Sequence, residues 1–240
     1  MEDISEKSDK CTRKYPPYHP PSHILKTVLH TSEDMTFITK IRMHASEDRL
    51  EKLIEERTKA SEEKKKEIDQ RIWDLFGEDW SILFTDLSGF SRKVAEFGII
   101  HFLQVIHESK KLLVPLIDHF DGILLKVEGD SMMVIFRNPK KAVECAVTMN
   151  QRLKEYNKSR SEVEQILLCT GIGHGRVIRI GDDDVFGSEV NAASKLGEDS
   201  AKAWDILVTD SIEKLLKKEF TFEKLEDIPP GAKGAFRLKY

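Results

Sequence analysis

Apolar positions from Ser81 onward switch between two periods, and the switches mark out the elements. SILFTDL is a short apolar block that predicts a buried strand. FSRKVAEFGIIHFLQVIHESKKLLVPLIDHF repeats apolar residues at helical spacing, with an interruption near Gly98. GILLKVEGDSMMVIF predicts paired strands around a tight turn at Gly129, where the missing Cβ permits the backbone a turn needs. PKKAVECAVTMNQRLKEYN sets Ala142, Cys145, Ala146, Met149 and Leu153 on one helical face. ILLCTGIGHGRVIRIG, rich in glycine, predicts two short strands meeting at a bend. SEVNAASKLGEDSA and DSIEKLLKKEF predict helices, and DILVT, FTFEKLEDI and KGAFRLKY predict strands. The order β-α-β-β-α-β, followed by further elements, predicts an α+β, ferredoxin-like antiparallel sheet with helices on one face.

The polar pattern before Ser81 differs. KYPPYHPPSH blocks helix and sheet pairing alike, so residues 1–30 are expected to form a flexible arm. Residues 31–79 are expected to be a charged helical segment with a dimerising or regulatory role. Leu50, Leu53 and Ile54 make one apolar stripe and Ile68, Ile72 and Leu75 another, separated by the polar stretch Glu55 to Glu67. A solvated helix, a dimer-forming coiled coil and a short helical hairpin all stay open, because a broken seam falls short of sustained heptads.

Composition narrows the classes. The chain has 240 residues, 40% hydrophobic and 33% charged, with a formal net charge of −4. That balance gives no case for nucleic-acid binding, which usually rests on basic excess. Three widely spaced cysteines without a CxxC pair argue against a disulfide framework or zinc site. A cytoplasmic, soluble protein is expected, since MEDISEKSDK lacks an apolar signal core and no apolar run approaches membrane-spanning length.

Two carboxylates carry the chemistry. Asp86 ends the first strand and Asp130 sits at the hairpin tip, and a central first strand beside the hairpin would bring them together. Such a pair repels itself unless protonated or occupied by cations. Hard oxygen ligands suit Mg²⁺ or Mn²⁺, completed by water and substrate phosphates. LSGFS, directly after Asp86, offers a turn whose N–H groups suit phosphate oxygens. A haloacid-dehalogenase-type phosphatase needs a second Asp where Ser88 stands, and a polymerase palm needs a basic channel that this composition lacks.

FTDLSGFS, KVEGDSMMVIF and DVFGSEVNAASKL, in that order, resemble the class III adenylyl/guanylyl cyclase catalytic domain from about Trp80 to Tyr240. The resemblance implies a catalytic domain over 80–240 and a head-to-tail homodimer with its active sites in the interface. One protomer would hold two Mg²⁺ or Mn²⁺ ions with Asp86, Leu87 and Asp130. Its partner would read the base with Lys126 and Asp184, position the ribose with Asn191 and meet phosphate charge with Lys195. Ser88, Gly89, Phe90, Ser91 and Lys233 would contact the phosphates. An ammonium suits adenine N1 and a carboxylate suits the exocyclic amino group, and guanylyl members carry Glu where Lys126 stands, so ATP is the expected substrate. Glu128, two residues from Lys126, falls on the same strand face unless the turn breaks the alternation, and adenine choice is expected to survive it. Lys195 departs from the family's arginine, which has a bidentate fork that lysine lacks. A catalytically weak, nucleotide-binding signalling module is therefore the alternative to an active enzyme.

Overall fold

The computed structural model of the chain describes residues 32–89, 98–182, 184–228 and 231–240, with side chains from residue 45 onward. The proline-rich arm, Phe90 and Ser91 lie outside the described residues. The chain divides into Met1–Ala45, helical from Ser32 where described, and Ser46–Tyr240, which carries everything below.

Helices α1 (Ser32–Thr58) and α2 (Glu62–Phe76) are separated by a three-residue turn. Ser61 caps α2 by accepting from the Lys64 N–H. Leu53 buries against Ile68, Ile72 and Phe76, with Ile178 packed onto them. Arg57 grips Asp69 through Nε at 2.5 Å and Nη2 at 3.1 Å. Of the three arrangements left open by the sequence, this is the helical hairpin. The polar stretch that breaks the stripe contains the turn itself.

The sheet runs β2-β3-β1-β4-β6-β8-β7, with a short strand β5 paired to β4. Strand β1 (Gly77–Leu87) is central, antiparallel to both β3 (Ser131–Phe136) and β4 (Leu168–Ile180). It starts before the apolar block, because Gly77 to Asp79 pair with β4 despite their polarity. Strands β2 (Ile123–Glu128), β6 (Ile206–Thr209), β7 (Thr221–Lys224) and β8 (Ala235–Lys239) match expectation. Strand β5 (Asp184–Phe186), of three residues, was not foreseen. Among the described residues, only β4 and β6 pair in parallel.

On one face, α3 (Ile99–His119), α4 (Pro139–Asn157) and α6 (Asp210–Leu216) bury Phe102, Leu113, Met149 and Ile212 against Leu83, Val134, Leu168 and Val208. The opposite face is also covered, which corrects the expectation of helices on one side. There α5 (Ser188–Ser194) packs Val190 and Ala193 against Trp80, Ile82, Ile135 and Val177. A one-turn π-helix, Lys195–Ser200, continues from α5.

Strand β4 is one continuous strand of 13 residues, not two meeting at a bend. Its glycines make room for α5 instead. A Cβ on Gly171 would meet the main-chain oxygen of Ala193 at 2.1 Å and the Gly197 nitrogen at 2.4 Å. Neither backbone atom can yield cheaply. Gly171→Ala is expected to lose about 1–3 kcal/mol by overpacking, measured as a lower urea midpoint at unchanged slope. An unaltered midpoint would mean that α5 lies less tightly on the sheet than described.

Candidate active site

Because β1 lies beside β3 in the register Thr85 to Met132, the end of β1 meets the hairpin turn. Gly129 supplies that turn with a φ of +58°. Asp86 Oδ1 accepts from Ser131 Oγ at 3.2 Å, and Asp130 lies close enough for its charge to act on Asp86. Burial, and then the Asp130 charge, push Asp86 up to about 6. Burial likewise raises Asp130. Leu87 buries its side chain in the core, so it can present main-chain groups alone.

Among the described residues, neither carboxylate has a Lys or Arg ion-pair partner within 4.0 Å. Nor do the described residues hold a cluster of three or more His, Cys, Asp or Glu fit to bind a metal by themselves. Two uncompensated carboxylates are a fit for Mg²⁺ or Mn²⁺, which keep water and take substrate phosphates as further ligands. The raised Asp86 has a testable consequence. Its folded pKa lies above its unfolded value of about 3.8, so its ionisation destabilises the metal-free fold as pH rises through about 6. Cation binding needs that same ionised form. The rise in Tm on adding Mn²⁺ is therefore expected to be large at pH 7.5 and small at pH 5. Equal shifts at both would place the ion elsewhere.

Beside this pair opens a cavity of about 320 Å³ with apolar walls from Phe84, Met133, Val185 and Val190. Its polar end is an ion pair, Lys126 Nζ to Asp184 Oδ2 at 2.5 Å. Asp184 Oδ1 accepts from the Val185 N–H at 2.9 Å, which fixes the carboxylate plane. Flat walls with a donor and an acceptor side by side are suited to an aromatic base. Glu128 lines the same cavity as Lys126. The strand irregularity falls at Leu125, before Lys126, so alternation from Lys126 to Glu128 is intact.

Asn191 is exposed at the rim shared by this cavity and a second of about 290 Å³, lined by Ser194, Lys195 and Gly231. Lys195 is exposed and bonds Asp199 Oδ2 at 2.7 Å, one helical turn on. Lys233 is exposed two residues beyond Gly231. Ser88 donates its N–H to the Leu167 carbonyl at 2.8 Å, and Gly89 takes a φ of +82°. Asp86 with Asp130, and Lys126 with Asp184 and Asn191, thus come together. Lys195 and Lys233 lie off the cavity that Lys126 and Asp184 line. Glu198 was not foreseen: it lines that cavity, accepts from Ser194 Oγ at 2.5 Å and adds negative charge near both aspartates. Its spacing of seven from Asn191 was the available signal, since that repeat returns to one helical face.

Comparison with known proteins follows the same lines. The family described as "Adenylate and Guanylate cyclase catalytic domain" matches residues 77–238. A "Putative adenylate cyclase 3" from Rhizobium meliloti (strain 1021) is 30% identical over 132 residues, 55% of this chain and 22% of that protein. An "Adenylate cyclase" from Mycobacterium bovis is 25% identical over 210 residues, 82% of this chain and 47% of that protein. The chain thus spans less than half the length of these relatives. Among solved structures, an adenylate/guanylate cyclase/hydrolase from Silicibacter pomeroyi aligns with a TM-score of 0.60 at 24% identity, covering 68% of this chain and 96% of that one.

Proposed function

The chain belongs to the adenylate and guanylate cyclase catalytic domain family, and from that premise we propose that it is an adenylyl cyclase forming 3′,5′-cyclic AMP and pyrophosphate from ATP in a head-to-tail homodimer. The observation that carries the base choice is the Lys126–Asp184 pair at the polar end of an apolar cavity. Lys126 donates to adenine N1 and Asp184 accepts from the exocyclic amino group. Asn191, at the cavity rim, orients the ribose. Attack of the ribose 3′-oxygen on the α-phosphorus gives up the hydroxyl proton to water, breaks the bond to the bridging oxygen of the β-phosphate, and pyrophosphate leaves.

Asp86, Leu87 and Asp130 hold the divalent cations, which when bound supply Lewis-acid stabilisation of the attacking and leaving oxygens. Ser88, Gly89, Phe90 and Ser91, with Lys233, meet the phosphates. Lys195 gives up Asp199 to reach the charge that develops on the phosphate oxygens. The exposed i,i+4 pair that it leaves contributes little, so the switch is cheap. Residues 31–79 take the dimerising or regulatory role. The buried free thiols of Cys145 and Cys169 fit a reducing, cytoplasmic compartment. No helix of the described residues is long and apolar enough to cross a membrane.

Sharing of each site between protomers is tested by mixing Asp86→Ala with Asn191→Ala, each reduced to a small residual rate alone. Half of the dimers then combine the two variants, and each has one of its two sites intact, so about a quarter of wild-type activity returns. No recovery after verified exchange of protomers would mean that each site belongs to a single chain.

A further inference from the structure

The glycines of β4 have a second consequence. Gly171, Gly173 and Gly175 alternate along the strand and so share one face. A Cβ on Gly173 would meet the Glu189 carbonyl at 2.6 Å and its Oε2 at 3.0 Å. One on Gly175 would meet Glu189 Cγ at 2.9 Å. The space that two side chains would occupy is filled by Glu189. Its Oε2 accepts from Thr209 Oγ1 at 2.7 Å, Ser211 Oγ at 3.0 Å and the His174 N–H at 3.2 Å. One carboxylate oxygen on α5 thereby gathers donors from β4, the end of β6 and the start of α6. Thr209 Oγ1 and Ser211 Oγ also lie 2.7 Å apart, and since each hydroxyl has one hydrogen, a donation between them takes the place of one donation to Glu189.

Helix α5 needs such an anchor. It has seven residues, too few to be stable alone, and Gly187 gives its start no side-chain cap. Val190, Ala192 and Ala193 set its depth against the sheet, but apolar contacts are non-directional. Charge-assisted hydrogen bonds are directional and strong. Asn191 lies two residues past Glu189, and Lys195 ends the helix.

We propose that Glu189 is a positioning residue for cyclic nucleotide formation: anchored on Thr209, Ser211 and the His174 amide, it fixes α5 so that Asn191 and Lys195 meet the ribose and phosphates. The proposal rests on the cyclase reading. Glu189 touches no nucleotide and acts through Asn191 and Lys195. Lys126 and Asp184 sit on β2 and β5, so the polar contacts to the base do not depend on this anchor, although the Val190 wall of the cavity lies on α5.

The test compares Glu189→Ala with Glu189→Gln in the full chain, assayed for cyclic AMP formation and for amide hydrogen exchange over residues 188–200. In the alanine variant kcat falls about a hundredfold, the scale of a 1 Å misplacement, while KM for ATP changes far less than kcat. Exchange over 188–200 accelerates while the central strands keep their protection. Glutamine keeps an acceptor oxygen for the same donors and restores most of kcat and the slow exchange. In an Asn191→Ala background, Glu189→Ala costs clearly less than in the wild type, because the part of its effect that passes through Asn191 is already lost. Wild-type kcat in Glu189→Ala, unchanged exchange over 188–200, or fully multiplicative losses with Asn191→Ala would each overturn the proposal. If the wild-type chain itself forms no cyclic nucleotide, the cyclase reading fails and the positioning of nucleotide groups fails with it, whatever the exchange shows. Should the alanine variant not fold, Ser211→Ala removes one donor and gives the same comparison at smaller amplitude.

Discussion

Asp86→Ala is expected to lower cyclic AMP formation by at least about a thousandfold, while making the metal-free protein more stable at neutral pH. The two effects share a cause. Loss of a single charge-stabilising donor costs a typical active site about a hundred- to a thousandfold, and Asp86 is half of the carboxylate pair proposed to hold the cations. The same carboxylate is a liability in the metal-free fold. Burial and the Asp130 charge raise its pKa to about 6, so at pH 7.5 it is ionised against both influences. Alanine removes that strain. Lower activity with a higher metal-free urea midpoint is the signature of a site whose charge serves function at the expense of stability. A variant that loses activity together with stability would show instead that Asp86 is structural.

Lys126→Glu is expected to turn the preference from ATP toward GTP. In the present site Lys126 donates and Asp184 accepts, and their contact at 2.5 Å orients both. A glutamate at 126 leaves adenine N1 facing an acceptor and sets two carboxylates side by side. A guanine relieves that arrangement in part: its N1–H and 2-amino group are donors for the introduced glutamate, while its O6, an acceptor, faces Asp184 where adenine presents its amino group. Sites built to pair polar groups reject the wrong partner by about ten-thousandfold or more when those groups are left unpaired. This site is partly exposed, so about a hundredfold loss of kcat/KM for ATP is the expected scale. Glu128, already in the cavity, adds an acceptor for guanine in the variant. The check is kcat/KM for both nucleotides in wild type and variant. A ratio that does not move would remove Lys126 from base reading.

The hairpin with Asp130 was legible because alternation on both sides and a glycine between them all speak for one local structure. The meeting of Asp86 and Asp130 then followed from strand order. The start of β1 was not legible, because Glu78 and Asp79 are polar and their strand pairing is imposed by β4. The β4 glycines read as a bend, since local sequence cannot show that α5 lies against them. The polar stretch of the N-terminal segment hid the turn of a hairpin, because turn and solvated helix there have the same composition. The Glu189 anchor was invisible for a similar reason. Its donors come from Thr209 and Ser211, about twenty residues along the chain, and only the packed sheet brings them together. Lys126 and Asp184 were paired through the resemblance, and the contact between them is a tertiary fact that no spacing gives.

The most direct test of the central claim is to incubate the purified chain with ATP and with GTP, each with Mg²⁺ or Mn²⁺, and identify the products by mass. Cyclic AMP and pyrophosphate from ATP, in excess of cyclic GMP from GTP, is the result that the site predicts. Cyclic GMP in excess would contradict the base reading of Lys126 and Asp184. No cyclic nucleotide from either substrate, with metal-dependent ATP binding intact, would contradict the enzyme and leave a nucleotide-binding signalling module.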